Sequence, residues 1–322
     1  MRRICFLLAV IFALGWGFTD PVSGYGDNTF SQNPRTRYYR KAILTSDQYD
    51  VRVTKIMVRY EKFSKTITQD VGTGFFMTDG GNYIYLVSSG HVFEKALKIL
   101  LDNPGKVITF QRFVTQDPAG TEKIVPYEID LVDCWNKGTL KLNKDNDIDV
   151  GIVRIRTYQT ESKEQKKQKR SARSAKEEEP HYTSYVVDIY DDKSSVLGYE
   201  NIYKAEEIYF FGFPELSVLS NFNKKHALDP VVRKGIVSKF LDSKKILIEG
   251  GILPGTSGSP VFLRREYVSA KGDVQIQLRL IGLISHSVPA AVTATGEFPS
   301  GLALVESVNN ILFTLQEFSQ GQ

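Results

Sequence analysis

Short apolar runs recur along this chain, separated by clusters of glycine, proline, asparagine and aspartate. Val51 to Tyr60, Gly72 to Met77, Tyr83 to Ser88, Val107 to Phe113 and Val150 to Ile155 read as strands. So do Glu207 to Gly212, Gly235 to Phe240, Lys245 to Glu249, Gly258 to Leu263, Val274 to Ser285 and Gly301 to Leu304. Turn residues at Asp79-Gly80-Gly81, Asn103-Pro104-Gly105 and Lys271-Gly272-Asp273 separate several of them. Helical spacing is clearest near the end, where Val305, Val308, Ile311, Leu312, Leu315 and Phe318 form one apolar stripe. Many short strands and few helices predict an all-β chain of barrels or sandwiches, closed by a terminal helix. No internal repeat is evident.

Met1-Arg2-Arg3 followed by Ile4 to Phe18 has the charged start and apolar core of a secretory signal. The run is short and holds Gly15 and Gly17, which makes a poor membrane-spanning helix. Cleavage after Gly24 or Gly17 fits, but neither follows the preferred Ala-x-Ala pattern, so an uncleaved anchor stays open. No other segment is apolar enough to span a bilayer, and no stable span is expected once the signal is removed. Cys5 lies inside this segment and Cys134 is the other cysteine. No intrachain disulfide then remains, which excludes a disulfide-stapled domain. A chain of 322 residues needs no such staple to bury its apolar surface. Cys134 beside Trp135 reads as a packing residue, because nothing around it forms a catalytic turn.

The net charge is +4, with acidic and basic residues mixed, which argues against a nucleic-acid protein. The one basic concentration, Lys163 to Lys176, has no aromatic residue and no apolar face. It reads as a solvated insertion. A docking arm for acidic surfaces and a site of self-cleavage are the functional alternatives.

Three segments carry candidate chemistry. Gly255-Thr256-Ser257-Gly258-Ser259-Pro260 lies between two apolar runs. Glycines around a serine make a tight turn that can hold a hydroxyl outward and aim backbone N–H groups at one point. A plain surface turn has the same composition. Gly72-Thr73-Gly74-Phe75-Phe76-Met77 and then Tyr83 to Phe93 read as a hairpin whose second strand runs into small residues and His91. Asp147-Ile148-Asp149 opens the strand Val150 to Ile155. The chain order is therefore His, Asp, Ser, each where a strand meets a loop.

These segments resemble the motifs of trypsin-like serine peptidases of the chymotrypsin fold, and among them bacterial secreted and periplasmic members. The glycine-led strand with Leu86-Val87-Ser88-Ser89-Gly90-His91-Val92 is similar to the family's histidine motif. Asp149-Val150-Gly151-Ile152-Val153 is similar to its aspartate motif, and Gly255 to Pro260 to its serine motif in the form seen in glutamyl endopeptidases. Val232 to Ser238 resembles the strand before the serine motif in the heat-shock (Deg-type) branch. The resemblance spans roughly residues 50 to 318, and three motifs in order are more specific than one.

It implies two antiparallel β-barrels with a cleft between them and a C-terminal helix, and no peptide-binding PDZ module after it. The expected layout is a signal over 1–24, a first barrel over 25–157 carrying His and Asp, a charged insertion over 158–182, and a second barrel over 183–322 carrying Ser. The implied function is serine endopeptidase activity on polypeptide substrates, outside the cytoplasm, with no metal and no cofactor. Ser257 would be the nucleophile, His91 the general base and acid, and Asp149 the orienting carboxylate. The backbone N–H groups of Gly255 and Ser257 would form the oxyanion hole. Register favours Asp149 over Asp145 and Asp147, although a slip of two keeps the same strand face and leaves Asp147 open.

His181 and His226 read as structural, as does Ser259. Ser285-His286-Ser287 is similar to the strand that pairs with substrate beside the primary pocket. His286 there would favour acidic side chains before the cleaved bond, and Gly251 near the pocket base adds no charge. Thr256 stands where trypsin has an aspartate that pairs with a new N-terminus, so activation by N-terminal insertion is not expected. A catalytically silent binding or chaperone-like module is the alternative reading, and an esterase on the same fold a further one.

Overall fold

A hairpin opens the described part of the chain. Strand β1 (Val53–Lys62) and β2 (Lys65–Thr78) are joined by Phe63 and Ser64, both at positive φ (51° and 57°), the two-residue turn whose twist matches that of its strands. The computed structural model describes residues 53–78, 83–115, 122–143, 147–157, 182–184, 187–188, 196–215, 229–268, 274–293 and 296–320. The expected signal, the charged insertion, His181 and His226 all lie outside them.

β2 pairs with β3 (Tyr83–Ser88), which leads directly into helix α1 (Gly90–Asp102). The sequence marks the strand Tyr83 to Ser88, as found, but no helix after it; the structure turns helical at Gly90. Val92, Phe93, Ala96, Leu97 and Leu100 form the buried face of that helix, a 3.6-residue pattern that wins over the short β-like stretch before it. There follow β4 (Gly105–Thr115), β5 (Glu122–Ile129), the short helix α2 (Leu131–Asn136), β6 (Leu140–Asn143) and β7 (Val150–Thr157). The sheet runs β5-β4-β1-β2-β3-β7-β6, with β8 (Tyr182–Ser184) added to β4 and β9 (Val187–Asp188) added in parallel to β2.

The second half is a closed barrel in the order β10-β11-β12-β15-β14-β13. Its strands are β10 (Glu207–Gly212), β11 (Val231–Phe240), β12 (Lys245–Glu249), β13 (Pro260–Val268), β14 (Val274–Thr293) and β15 (Gly296–Ser307). Helix α3 (Val308–Gln320) ends the described chain. The fold is all-β as expected, an open first sheet and a closed second barrel followed by a C-terminal helix.

Three apolar clusters hold this together. One fills the first sheet with Ile56, Phe76, Leu86 and Phe93; another fills the second barrel with Phe210, Ile248, Leu263 and Ile284. The third lies between them: Phe75, Met77, Val87 and Ile152 from the first sheet meet Phe211, Phe262 and Leu283 from the second. Along β2 and β3 successive side chains therefore enter different clusters, Phe75 one and Phe76 another. Strands buried on both faces read as continuous apolar runs rather than alternating ones. Each fully buried side chain of this size is worth roughly 1.5–3 kcal/mol. Val308, Ile311, Leu315 and Phe318 of α3 join the central cluster, with Leu312 packed against it, as the spacing predicts; Val305, expected to open that stripe, instead lies in β15 and packs in the second barrel, because the helix starts only at Val308.

Candidate active site

The His91, Asp149 and Ser257 segments converge between the two β-structures. His91 lies in the first turn of α1, and Asp149 just ahead of β7. Asp149 Oδ1 accepts the His91 backbone N–H at 2.9 Å, and its Oδ2 meets His91 Nδ1 at 2.8 Å. The Gly90 N–H donates to the Asp149 carbonyl at 3.2 Å. One carboxylate thus caps the helix and holds the ring that the helix presents. A Cβ on Gly90 would sit 3.0 Å from that carboxylate.

Asp149 carries more than one partner. The Ser285 hydroxyl donates to Oδ2 at 2.7 Å from a β-bulge in β14, where register shifts between Ile284 and His286. Burial pushes the Asp149 carboxyl up, but the hydrogen bond and charge of His91, the Ser285 hydroxyl and the His91 backbone N–H outweigh it and hold the group at about 2. At neutral pH this carboxylate is ionised and can only accept, so His91 Nδ1 carries the hydrogen and Nε2 the lone pair.

Asp147, the other reading of the aspartate motif, goes elsewhere. It adopts a left-handed backbone (φ 66°) and pairs with Lys245 at 3.0 Å from an exposed position. Of the two aspartates that register leaves open, Asp149 is the one brought to His91.

The Ser257 turn is strapped to β2. The Thr73 N–H donates to the Ser257 carbonyl at 2.9 Å, and Thr73 Oγ1 donates to the Gly255 carbonyl at 2.9 Å while accepting the Phe213 N–H at 3.0 Å. Thr73 is wholly buried. Within the turn the Thr256 N–H bonds the Leu253 carbonyl and the Gly258 N–H the Ile284 carbonyl. The N–H groups of Gly255 and Ser257 donate to no acceptor among the described residues. Gly258 (φ +86°) admits no side chain, since a Cβ there would lie 2.1 Å from the Thr73 carbonyl oxygen.

No hydrogen bond joins His91 to the Ser257 hydroxyl in this structure. The imidazole is oriented by Asp149 and the turn is fixed by Thr73, without a direct link between the two. Ser259 is fully buried, and its hydroxyl has no hydrogen-bond partner among the described residues.

His286 stands beside His91, with ring centroids 4.8 Å apart and planes tilted by 34°. Its Nδ1 contacts the Ser285 hydroxyl and lies 3.6 Å from Asp149 Oδ2. Ser287 is exposed on the same strand. Gly251 adopts a left-handed conformation (φ +58°) and its carbonyl accepts from Arg233. An open groove of about 570 Å³ there is lined by Arg233, Lys234, Glu249 and Gly251 among others. Cys134 is a half-buried thiol against the first sheet's core, and burial pushes it up.

Sequence reasoning missed two supports of this site. One is Thr73, whose Gly-Thr-Gly setting marks it but whose partners lie more than a hundred residues on. The other is Glu306, a wholly buried carboxylate whose Oε1 accepts the Asp149 backbone N–H at 3.1 Å.

No family model and no curated protein matches this chain. Among solved structures it is similar to the HtrA-type protease AlgW with a decapeptide, at 15% identity and a TM-score of 0.42, over 88% of this chain and 68% of that one. It is also similar to the same protease with a tripeptide, at 14% identity and a TM-score of 0.38, over 86% of this chain and 62% of that one. No helix among the described residues is long and apolar enough to cross a membrane.

Proposed function

We propose that this chain is a serine endopeptidase that cleaves polypeptides through Ser257, His91 and Asp149. The observation that carries the reading is the bond from His91 Nδ1 to Asp149, which leaves the Nε2 lone pair to act as a base. Ser257 Oγ attacks the substrate carbonyl carbon as His91 Nε2 takes its proton. The oxyanion that forms is held by the N–H groups of Gly255 and Ser257, the two donors in the turn that no acceptor among the described residues uses. The C–N bond breaks, the imidazolium returns the proton to the leaving amine, and an ester on Ser257 remains. Water then attacks that ester with His91 again as base, restoring the serine. Asp149 keeps the tautomer and stabilises the imidazolium without taking the proton.

Substrate would lie along β14 as an added strand at Ser285, His286 and Ser287. The leader from Met1 to Phe18 supports a secreted or periplasmic site of action. Neither a metal nor an organic cofactor is required by these steps.

One observation favours a second reading. The missing bond between His91 and Ser257 is what a catalytically silent binding or chaperone-like module would have. Catalytic hydrogen bonds are often long or poorly aligned before substrate binds, so the absence of this one in the free chain is compatible with catalysis. Incubation of the purified chain with a peptide library separates the readings. Cleavage that Ser257→Ala abolishes supports the endopeptidase; peptide binding with no cleavage supports the silent module.

A further inference from the structure

The geometry points to a divalent metal site made by His91 and His286, at which an ion of the zinc class holds the peptidase reversibly inactive. The inhibitory consequence rests on the endopeptidase reading above; the binding does not.

Three observations support the site. The centroids of the two imidazoles lie 4.8 Å apart with their planes tilted by 34°, and one ligating atom from each of His91, Asp149 and His286 lies within 4.8 Å of the others. Next, the hydrogen-bond pattern assigns both tautomers. The Ser285 hydroxyl has one hydrogen, and it goes to Asp149 Oδ2, an acceptor only. Towards His286 Nδ1 that hydroxyl can therefore only accept, so Nδ1 carries the hydrogen. His91 Nδ1 does the same towards Asp149. Both rings thus keep the Nε2 lone pair, with the Nδ1–H of His91 anchored on Asp149 and that of His286 on the Ser285 hydroxyl, which itself donates to Asp149. A histidine that donates its second N–H to a carboxylate is the usual arrangement at zinc, because it fixes the ring and raises its basicity.

Finally, the ion can reach the site. The His286 side chain is 56% exposed and His91 36% exposed. Tetrahedral zinc with bonds of about 2.0–2.1 Å sets its nitrogen ligands roughly 3.3 Å apart. His286, exposed on β14, is the ring that turns to bring its Nε2 to that spacing.

Two imidazole nitrogens select zinc, copper or nickel over magnesium and calcium, which prefer oxygen ligands. With two protein ligands the remaining positions fall to water, so binding is reversible rather than structural. The consequence follows from electron pairs. The Nε2 lone pair of His91 that would accept the Ser257 proton is donated to the ion, so no base remains. Nothing is oxidised and no bond in the chain breaks; removing the ion restores the lone pair.

Cobalt(II) serves as the spectroscopic probe, titrated into the full chain and read by visible absorption, with zinc as competitor. The expected result is one competed ion per chain. Loss of an outer-shell partner costs about 10–100-fold in metal affinity, so His91→Ala and His286→Ala, which remove ligands, should each weaken binding by about 100-fold or more. Ser257→Ala should bind as the parent does. In the parent, zinc should stop peptide cleavage over the same concentration range, and a chelator should restore it. Cobalt binding that both histidine variants leave unchanged, or zinc that fills the site while cleavage continues, overturns the proposal. Binding that needs both histidines in a chain that cleaves nothing leaves the metal site standing and sinks the endopeptidase reading instead.

Discussion

Glu306 Oε1 accepts the backbone N–H of Asp149 at 3.1 Å, from a side chain with no exposure at all. Asn310 donates to Oε2 at 2.8 Å and Lys245 Nζ lies 3.4 Å from Oε1. Burial pushes the Glu306 carboxyl up against the pull of Asn310 and Lys245. The end of β15 thereby fixes the loop that delivers Asp149 to His91, joining the second barrel to the first sheet. Glu306→Ala would leave the Asp149 N–H, the Asn310 amide and the Lys245 ammonium without their acceptor. The expected loss is about 3–5 kcal/mol of unfolding free energy, the usual cost of breaking a buried pair from one side. Glu306→Gln keeps an acceptor for Asp149 and should lose less. Urea denaturation of both variants measures this; equal stability of parent and Glu306→Ala would mean the contact positions nothing.

Thr73 is the corresponding strap for the serine turn. Thr73→Val is nearly isosteric but leaves the Phe213 N–H and the Gly255 carbonyl unpartnered inside the protein. An unmet buried group costs about 1–3 kcal/mol. Thr73→Ser keeps both bonds and should behave close to the parent. In turnover, the valine variant should lose kcat by about 10-fold or more with little change in KM, since a turn out of place harms the transition state more than ground-state binding. A loss confined to KM would place Thr73 in substrate binding instead.

Acid sensitivity follows from Asp149. Its carboxyl is held at about 2, below the unfolded value near 4, so the folded state binds its proton more weakly. The stabilisation is complete above the unfolded value and is lost as pH falls through the folded one. Asp149→Asn should therefore be less stable than the parent by about 2 kcal/mol at pH 7, and the gap should close between about pH 5 and 2. Urea midpoints at several pH values test this. A gap that stays constant with pH would show that the carboxylate is not the stabilising group.

The three side chains are expected to act as one unit. His91→Ala and Ser257→Ala should each lower kcat by about 10⁴-fold or more, and the double variant should add almost nothing. Losses that multiply would contradict a shared proton path.

Most of the fold is legible from apolar periodicity because the strands that matter are buried. β3, β10 and β12 coincide with the apolar runs that predict them. β5 is harder to read, because Pro126 sits within it and demotes it by local rules, yet it pairs only with β4, and an edge strand tolerates proline. α1 hides because Ser88-Ser89-Gly90-His91 reads as a turn after the apolar run Tyr83 to Val87, and only the recurrence of Val92, Phe93, Ala96, Leu97 and Leu100 reveals the helical period. His91, Asp149 and Ser257 stand out through their glycine-rich surroundings. Glu306 does not. It falls between the strand read as ending at Leu304 and the apolar stripe of the terminal helix, where a lone carboxylate looks ordinary, and its partners Asp149 and Lys245 are far away in sequence. Non-local burial of a charge leaves no mark in a local pattern.

The most direct test of the central claim is covalent labelling of Ser257 with a fluorophosphonate, read as an adduct on the peptide containing residues 255–260 by mass spectrometry. One label per chain on Ser257, lost in Ser257→Ala and strongly slowed in His91→Ala and Asp149→Asn, is the expected result. A chain with native circular dichroism that takes no label, or that takes it equally fast with His91 removed, would contradict the proposal that these residues form a working peptidase centre.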